Sequence, residues 1–374
     1  MDKIKKGILF LIPMSICNFR CHYCYLTQRE EFFQNTQPKF NYSPAHVANA
    51  LSPERLGGLA YLNFCADGET LLTKDLDKYI YELVKMGHYA EIVTNLTITQ
   101  ELEKILLWDV ELLKRIEFKC SFHYLELKKR DLLETFADNV KKIWKSGASA
   151  NIEITPSDEL IPYIEEVKEY CLSNFGALPH ITIARNDNTK CIDYLTKLPM
   201  DEYDRIWSQF DSGFWKFKKT IFKQKRNEYC YAGDWMLVVN LITGRTTQCY
   251  HTRNSFNIFE PIEKAIPFRA IGNCNQPHCY NGHMLLTLGC IPNFTDVKYG
   301  DIRNRTKNDG TKWLQPELCA FFNSKLCESN EEYSDLKKLS VKVQNNAEFI
   351  RSIPEKIVKK TFTRISEMNG KKGK

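Results

Sequence analysis

The sequence predicts an α/β fold: a partial, six-stranded (β/α)6 barrel followed by a smaller cysteine-rich α+β domain. From Gly7 to Arg185, short β-type runs alternate with amphipathic segments, the pattern of a parallel sheet with crossover helices. Helix start and stop signals stand between those runs. Beyond Arg185 the alternation ends, and cysteines gather from Cys230 onward.

The expected strands are Gly7–Ile12, Leu59–Phe64, Glu91–Thr94, Ile116–Phe122, Ala150–Thr155 and His180–Ala184. Six β/α units suit a partial barrel rather than a closed eight-stranded one. Ser43-Pro44 is an N-cap followed by proline at the first helical position. Gly87 ends a helix carrying Leu76, Ile80, Leu83 and Val84 on one face. Gly176 ends another, with Leu160, Ile164, Val167 and Cys171 at helical spacing. These signals divide the chain into a barrel over 1–190, a helical linker over 191–228, a cysteine-rich domain over 229–330, and a helical segment with a basic tail over 331–374.

Hydrophobic content of 43% and charged content of 26% describe a water-soluble chain with a core of its own. No apolar run approaches the roughly 20 residues of a membrane helix. Gly7–Pro13 is too short for a signal peptide and lacks a cleavage site, so a cytoplasmic protein is expected. Fourteen cysteines in such a chain read as reduced thiols and metal clusters rather than disulfides. The net charge of +6 is concentrated in Lys216–Arg226 and in a tail with Lys359, Lys360, Lys371, Lys372 and Lys374. A solvated helix face and a frayed terminus account for both, with attraction of an anionic substrate or nucleic acid as the alternative. No nucleic-acid-binding signature is present.

Cys17, Cys21 and Cys24 stand in C-x3-C-x2-C spacing directly after the first strand. That spacing puts three thiolates on a cubane iron–sulfur cluster and leaves its fourth iron open. Zinc is the alternative, although His22, adjacent to Cys21, cannot easily close the same tetrahedron. The segment Cys17–Cys24 resembles the signature of the radical S-adenosylmethionine (SAM) superfamily. In that family, SAM chelates the open iron through its amino and carboxylate groups, and one electron cleaves it to a 5′-deoxyadenosyl radical.

The resemblance extends to two further strand ends. Asp67-Gly68-Glu69-Thr70 is similar to the family's Gly-Gly-Glu-Pro segment, which holds the SAM amino group, with Asp67 and Thr70 departing from it. Thr94-Asn95 matches the position of a polar ribose contact, and Ser121 matches a serine near the ribose or methionine moiety. By the same resemblance, Tyr23 packs on adenine. From their strand positions, Asn151, on one face of the fifth strand with Glu153, is expected to contact SAM or substrate, with surface or core hydrogen bonding as the alternative, and Arg185, leaving the sixth strand, is expected to pair with a carboxylate. An external electron donor such as flavodoxin or ferredoxin is implied.

Cys230, thirteen residues, Gly244, four residues and Cys249 form an element similar to the start of SPASM and twitch auxiliary-cluster domains. Met236–Leu241 is rich in β-formers, and Thr243-Gly244 supplies a turn, so a hairpin brings Cys230 and Cys249 together. The dense cysteine block of a two-cluster domain is missing. One auxiliary [4Fe–4S] cluster is therefore expected on Cys230, Cys249, Cys274 and Cys279, with Cys290 in reserve and structural zinc as the alternative. Cys319 and Cys327 read as buried thiols, and His278 and His283 as groups able to orient substrate or move protons.

The implied reaction is hydrogen abstraction from an unactivated C–H bond, ending in oxidation or epimerisation. Cys65, Cys120 and Cys290 are candidate hydrogen-atom donors for the second outcome. The first strand begins by Gly7, with no leader-binding domain before it, which tilts the expectation toward a small-molecule or carbohydrate-like substrate. The alternatives are a peptide or protein substrate and a non-catalytic cluster scaffold.

Overall fold

The computed structural model describes residues 2–351 except 33–35, 291, 293 and 295; the basic tail singled out above lies outside them. All six expected strands form: β1 Lys6–Ile12, β2 Ala60–Ala66, β3 Tyr89–Thr94, β4 Ile116–Ser121, β5 Ser149–Ile154 and β6 His180–Ile181. They pair in parallel and in sequence order, joined by crossover helices. Gly87 and Gly176 follow their helices with positive φ, as the stop signals require.

Residues 229–330 do not form a separate sheet. The expected hairpin, β7 Met236–Asn240 and β8 Arg245–Thr247, is present, with Gly244 at φ 74° in its turn. Strand β7, however, pairs in parallel with β1, and β9 Ser255–Asn257 completes a nine-stranded sheet in the order β9-β8-β7-β1-β2-β3-β4-β5-β6. The edge that β1 would otherwise expose is thereby paired.

Alternation along β1 shows how the two faces are used. Ile8, Phe10 and Ile12 pack under the crossover helices, while Leu9 turns to the opposite face. There Leu9, Tyr61, Tyr89, Met236 and Val238 meet a layer drawn from the C-terminal half. That layer includes helices over Gly213–Ile221, Gly282–Leu288, Tyr299–Arg303 and Pro316–Asn323. Gly7 leaves room for the Met284 side chain, whose Sδ would stand 2.4 Å from a Cβ there. Strands β3, β4 and β5 also direct Glu91, Glu117 and Glu153 to this side, where Arg303, at 0% exposure, pairs with all three. Among the described residues, no helix is long and apolar enough to cross a membrane.

Candidate functional site

Beyond β1 the chain folds back over the strand ends, and its first residues keep pairing with the segment after β2. The amides of Asp67, Gly68 and Glu69 donate to the carbonyls of Ile12 (3.1 Å), Met14 (2.7 Å) and Ile16 (2.9 Å). Gly68 is sterically required, since a Cβ would stand 2.1 Å from the Ile16 carbonyl oxygen. The two departures from the family segment have local partners. Tyr25 Oη donates to Asp67 Oδ1 (3.0 Å), and the Ala66 amide donates to Thr70 Oγ1 (3.1 Å).

This pairing brings Cys17, Cys21, Cys24, Asp67, Glu69 and Asn95 onto one cavity. The Glu69 carboxylate is buried and held from three sides, by Thr94 Oγ1 (2.5 Å), the Asn95 amide (2.7 Å) and the Leu71 amide (3.0 Å). Asn95 is fixed in turn by Asn18, to which its side-chain amide donates at 2.8 Å. Burial pushes the Cys17 thiol up to about 11 and raises Cys21 and Cys24 as well. Burial also raises Glu69, against the three donors. No lysine or arginine lines this cavity. Such a wall is complementary to iron at the thiols and to an ammonium group at Glu69, so the residues fit a cluster with SAM. His22 turns outward to Glu159 (2.8 Å), away from the thiols.

Ser121 and His123 lie on this cavity and also, with Cys24, on a second one. The two have volumes of about 100 and 380 Å³. Tyr23 lines the second, with its Oη 2.6 Å from His123 Nδ1. Arg185, Lys218, Cys279 and His283 stand on its other walls. His283 is already engaged by Tyr299 Oη (2.7 Å) and Lys119 Nζ (3.0 Å).

Two expected site residues reach neither cavity. Asn151, at 0% exposure, donates to the Arg303 carbonyl at 2.8 Å and is part of the layer under the sheet. Cys120 is equally buried in the core on the helix-covered face, its thiol directed to the Phe118 carbonyl (3.3 Å). Strand alternation explains both: Cys120 is one residue out of phase with the inward-facing Lys119 and Ser121, and Asn151 lies too far from the C-terminal strand ends. Cys65 does line the first cavity.

The second cysteine set converges as well. Cys230 pairs through its backbone with Gly272, its amide donating to the Gly272 carbonyl at 2.8 Å. Cys230, Cys274, Cys279 and Cys290 line one small enclosed cavity. Cys249 lies within electrostatic reach of Cys279, Cys230 and Cys274, and burial pushes its thiol up to about 12. Cys290, on the wall of that cavity, lies within electrostatic reach of both Cys327 and Cys230. Cys319 and Cys327 are half-buried rather than buried. Among the described residues, no three His, Cys, Asp or Glu side chains converge on the position of a single metal ion. Zinc draws its ligands to about 2.0–2.3 Å of one point, whereas a cubane takes each thiolate on a different iron.

The residue that sequence reasoning missed is Lys218. In the basic run, Lys216, Lys219, Lys223 and Arg226 pair with Asp211, Asp204, Asp193 and Glu228. Lys225 donates to the carbonyls of Cys274 (2.8 Å) and Gln276 (3.0 Å). Lys218 alone of the six turns into the second cavity, which its place on the buried face of the helix, beside Phe214 and Phe217, could have signalled.

No protein-family model matches the sequence, and no curated protein matches it. Among solved structures, the chain is similar to Streptococcus suis SuiB bound to S-adenosylmethionine, with 13% identity, 69% of this chain and 64% of that chain covered, and a TM-score of 0.48. It is also similar to native anSMEcpe with bound AdoMet, with 14% identity, 70% and 80% coverage, and a TM-score of 0.46. The chain thus spans 64% of the length of that SuiB chain, and similarity at this level concerns the fold. In strand order, and in the strand ends that carry its motifs, the chain resembles the radical SAM superfamily.

Proposed function

We propose that this protein is a radical SAM enzyme with one auxiliary cluster. The observation that carries the reading is the convergence of Cys17, Cys21 and Cys24 with Glu69 and Asn95 on one cavity. That cavity shares walls with a second whose far side bears Cys279. Cys17, Cys21 and Cys24 would hold the first [4Fe–4S] cluster, and Cys230, Cys249, Cys274 and Cys279 the second. When bound, the first cluster and SAM supply a 5′-deoxyadenosyl radical after one-electron reduction by an external donor such as flavodoxin or ferredoxin.

The chain's own part is positioning. Glu69, locked by three donors, keeps its carboxylate where an ammonium group would sit, and Asn95 is pre-oriented through Asn18. The Tyr23–His123 hydrogen bond orders the wall between the two cavities. A substrate in the second cavity would lie between the two cysteine sets. Among the described residues, only Cys24 and Cys279 contribute thiols to that cavity, and both are assigned to clusters; of the candidate hydrogen-atom donors, Cys65 stands on the adjoining first cavity, so oxidation and epimerisation both stay open. A volume of about 380 Å³ suits a small or carbohydrate-like substrate; one side chain of a peptide would fill it equally, and is the second reading.

The test is anaerobic reconstitution. About eight irons per chain and conversion of SAM to 5′-deoxyadenosine with dithionite are expected. Uptake of zinc in place of iron, or no cleavage of SAM, would overturn the reading.

A further inference from the structure

The second cavity carries two cationic side chains, Arg185 and Lys218, against one carboxylate, Asp187, among the described residues that line it. Among the described residues, Lys218 Nζ has no carboxylate within 4 Å and no hydrogen-bond acceptor, and it lies 4.9 Å from the Phe214 ring. Arg185 reaches Asp187 only at 3.9 Å through Nε, leaving the ends of its guanidinium without acceptors. Asp187 Oδ1 is already taken by Arg29 at 3.2 Å. Lys119, beneath the same Phe214 ring, has its own counter-ion in Glu153 at 3.3 Å. Gly282 flanks the Lys218 stem: a Cβ there would lie in van der Waals contact with its Cδ and Cε, at 3.4 Å. Elsewhere in the basic run four cations have carboxylate partners and Lys225 has two carbonyls, which makes the one facing the cavity a feature of the site rather than of the helix surface.

We infer that Lys218 and Arg185 together bind a carboxylate of the substrate, Arg185 through its planar fork and Lys218 as a point charge. This assignment rests on the radical SAM reading and adds the substrate's chemical class. The carboxylate would be held on the wall shared with Cys279, and the rest of the molecule would extend toward Ser121 and His123.

The experiment is footprinting of Lys218 on the reconstituted, SAM-loaded protein, with an amine-acylating reagent and peptide mass spectrometry. The probes are glucuronate against glucose, triglycine against its C-terminal amide, and glucose 6-phosphate. At least one carboxylate probe should slow acylation of Lys218 about fivefold or more, its neutral counterpart should not, and Arg185→Met should abolish the protection while leaving the circular dichroism spectrum unchanged. Arg185→Lys should retain part of it. Protection by SAM alone would place a cofactor carboxylate there and overturn the inference. So would protection by the phosphate probe only, equal protection by neutral probes, or none by any. Formation of 5′-deoxyadenosine in the same sample separates the two failures: its absence sinks the radical SAM reading, whereas its presence without protection sinks this inference alone.

Discussion

Arg303 Nη2 stands 2.7 Å from Glu117 Oε1, with both side chains at 0% exposure, and this contact fastens the C-terminal half of the chain to the middle of the parallel sheet. Glu91 and Glu153 share the same guanidinium, so one cation serves carboxylates from three adjacent strands. Arg303→Met would leave those carboxylates buried without their partner. A loss of about 3–5 kcal/mol is expected from breaking such a group on one side, measured by urea denaturation. Replacement of Glu117 by Gln should cost much less, because burial and its acidic neighbours already hold that carboxyl well above the usual range.

The acid limb of stability should depend on His88. Its ring is buried, receiving the Ala60 amide on Nδ1 (3.0 Å) and donating from Nε2 to the Leu51 carbonyl (2.8 Å). Burial, assisted by Arg115, lowers it to about 4 from an ordinary 6.5. Between those values the unfolded chain binds the proton and the folded chain does not, so stability is complete above pH 6.5 and is lost as pH falls toward 4. This one group should remove about 2 kcal/mol between pH 7 and 5, at ~1.4 kcal/mol per pKa unit. His88→Gln should flatten the slope by that amount in denaturation curves at the two pH values; an unchanged slope would refute the assignment.

Gly68→Ala is expected to displace the cysteine loop, because the added methyl meets a backbone oxygen rather than a flexible side chain. Overpacking of this kind costs about 1–3 kcal/mol. The iron bound by Cys17, Cys21 and Cys24 should fall in the same variant while the second cluster stays, as read by iron assay and electron paramagnetic resonance.

Cys230→Ala or Cys249→Ala should remove about half of the bound iron, roughly four atoms of eight, and leave SAM cleavage without substrate intact. Cys290→Ala should keep all of it, since Cys249 completes the proposed set with Cys230, Cys274 and Cys279. Iron loss in Cys290→Ala with full retention in Cys279→Ala would reverse the ligand assignment.

Much of the fold was legible because its signals are local. Each of the six strands is a short apolar run with turn chemistry at its ends, and each observed strand overlaps its expected span. The Cys17–Cys24 loop and Asp67-Gly68-Glu69 are likewise contiguous segments whose residue types carry their chemistry. Asn151 and Cys120 were misjudged because membership of a strand does not reveal which face, or which depth, a side chain occupies. Lys218 was hidden in a run of charges whose other members are paired at the surface.

By itself, then, the sequence determined the β/α alternation, the strand ends at which the motifs sit and the two sets of thiols, since each is written in neighbouring residues with a fixed period or spacing. Only the tertiary structure decided that β7 joins the sheet beside β1, that Arg303 serves three strands, that Cys290 lines one cavity with Cys230, Cys274 and Cys279, and that Lys218 faces the second cavity. Those outcomes depend on contacts between segments far apart in the chain. Such contacts are selected by burial, close packing and charge pairing, and no local period records them.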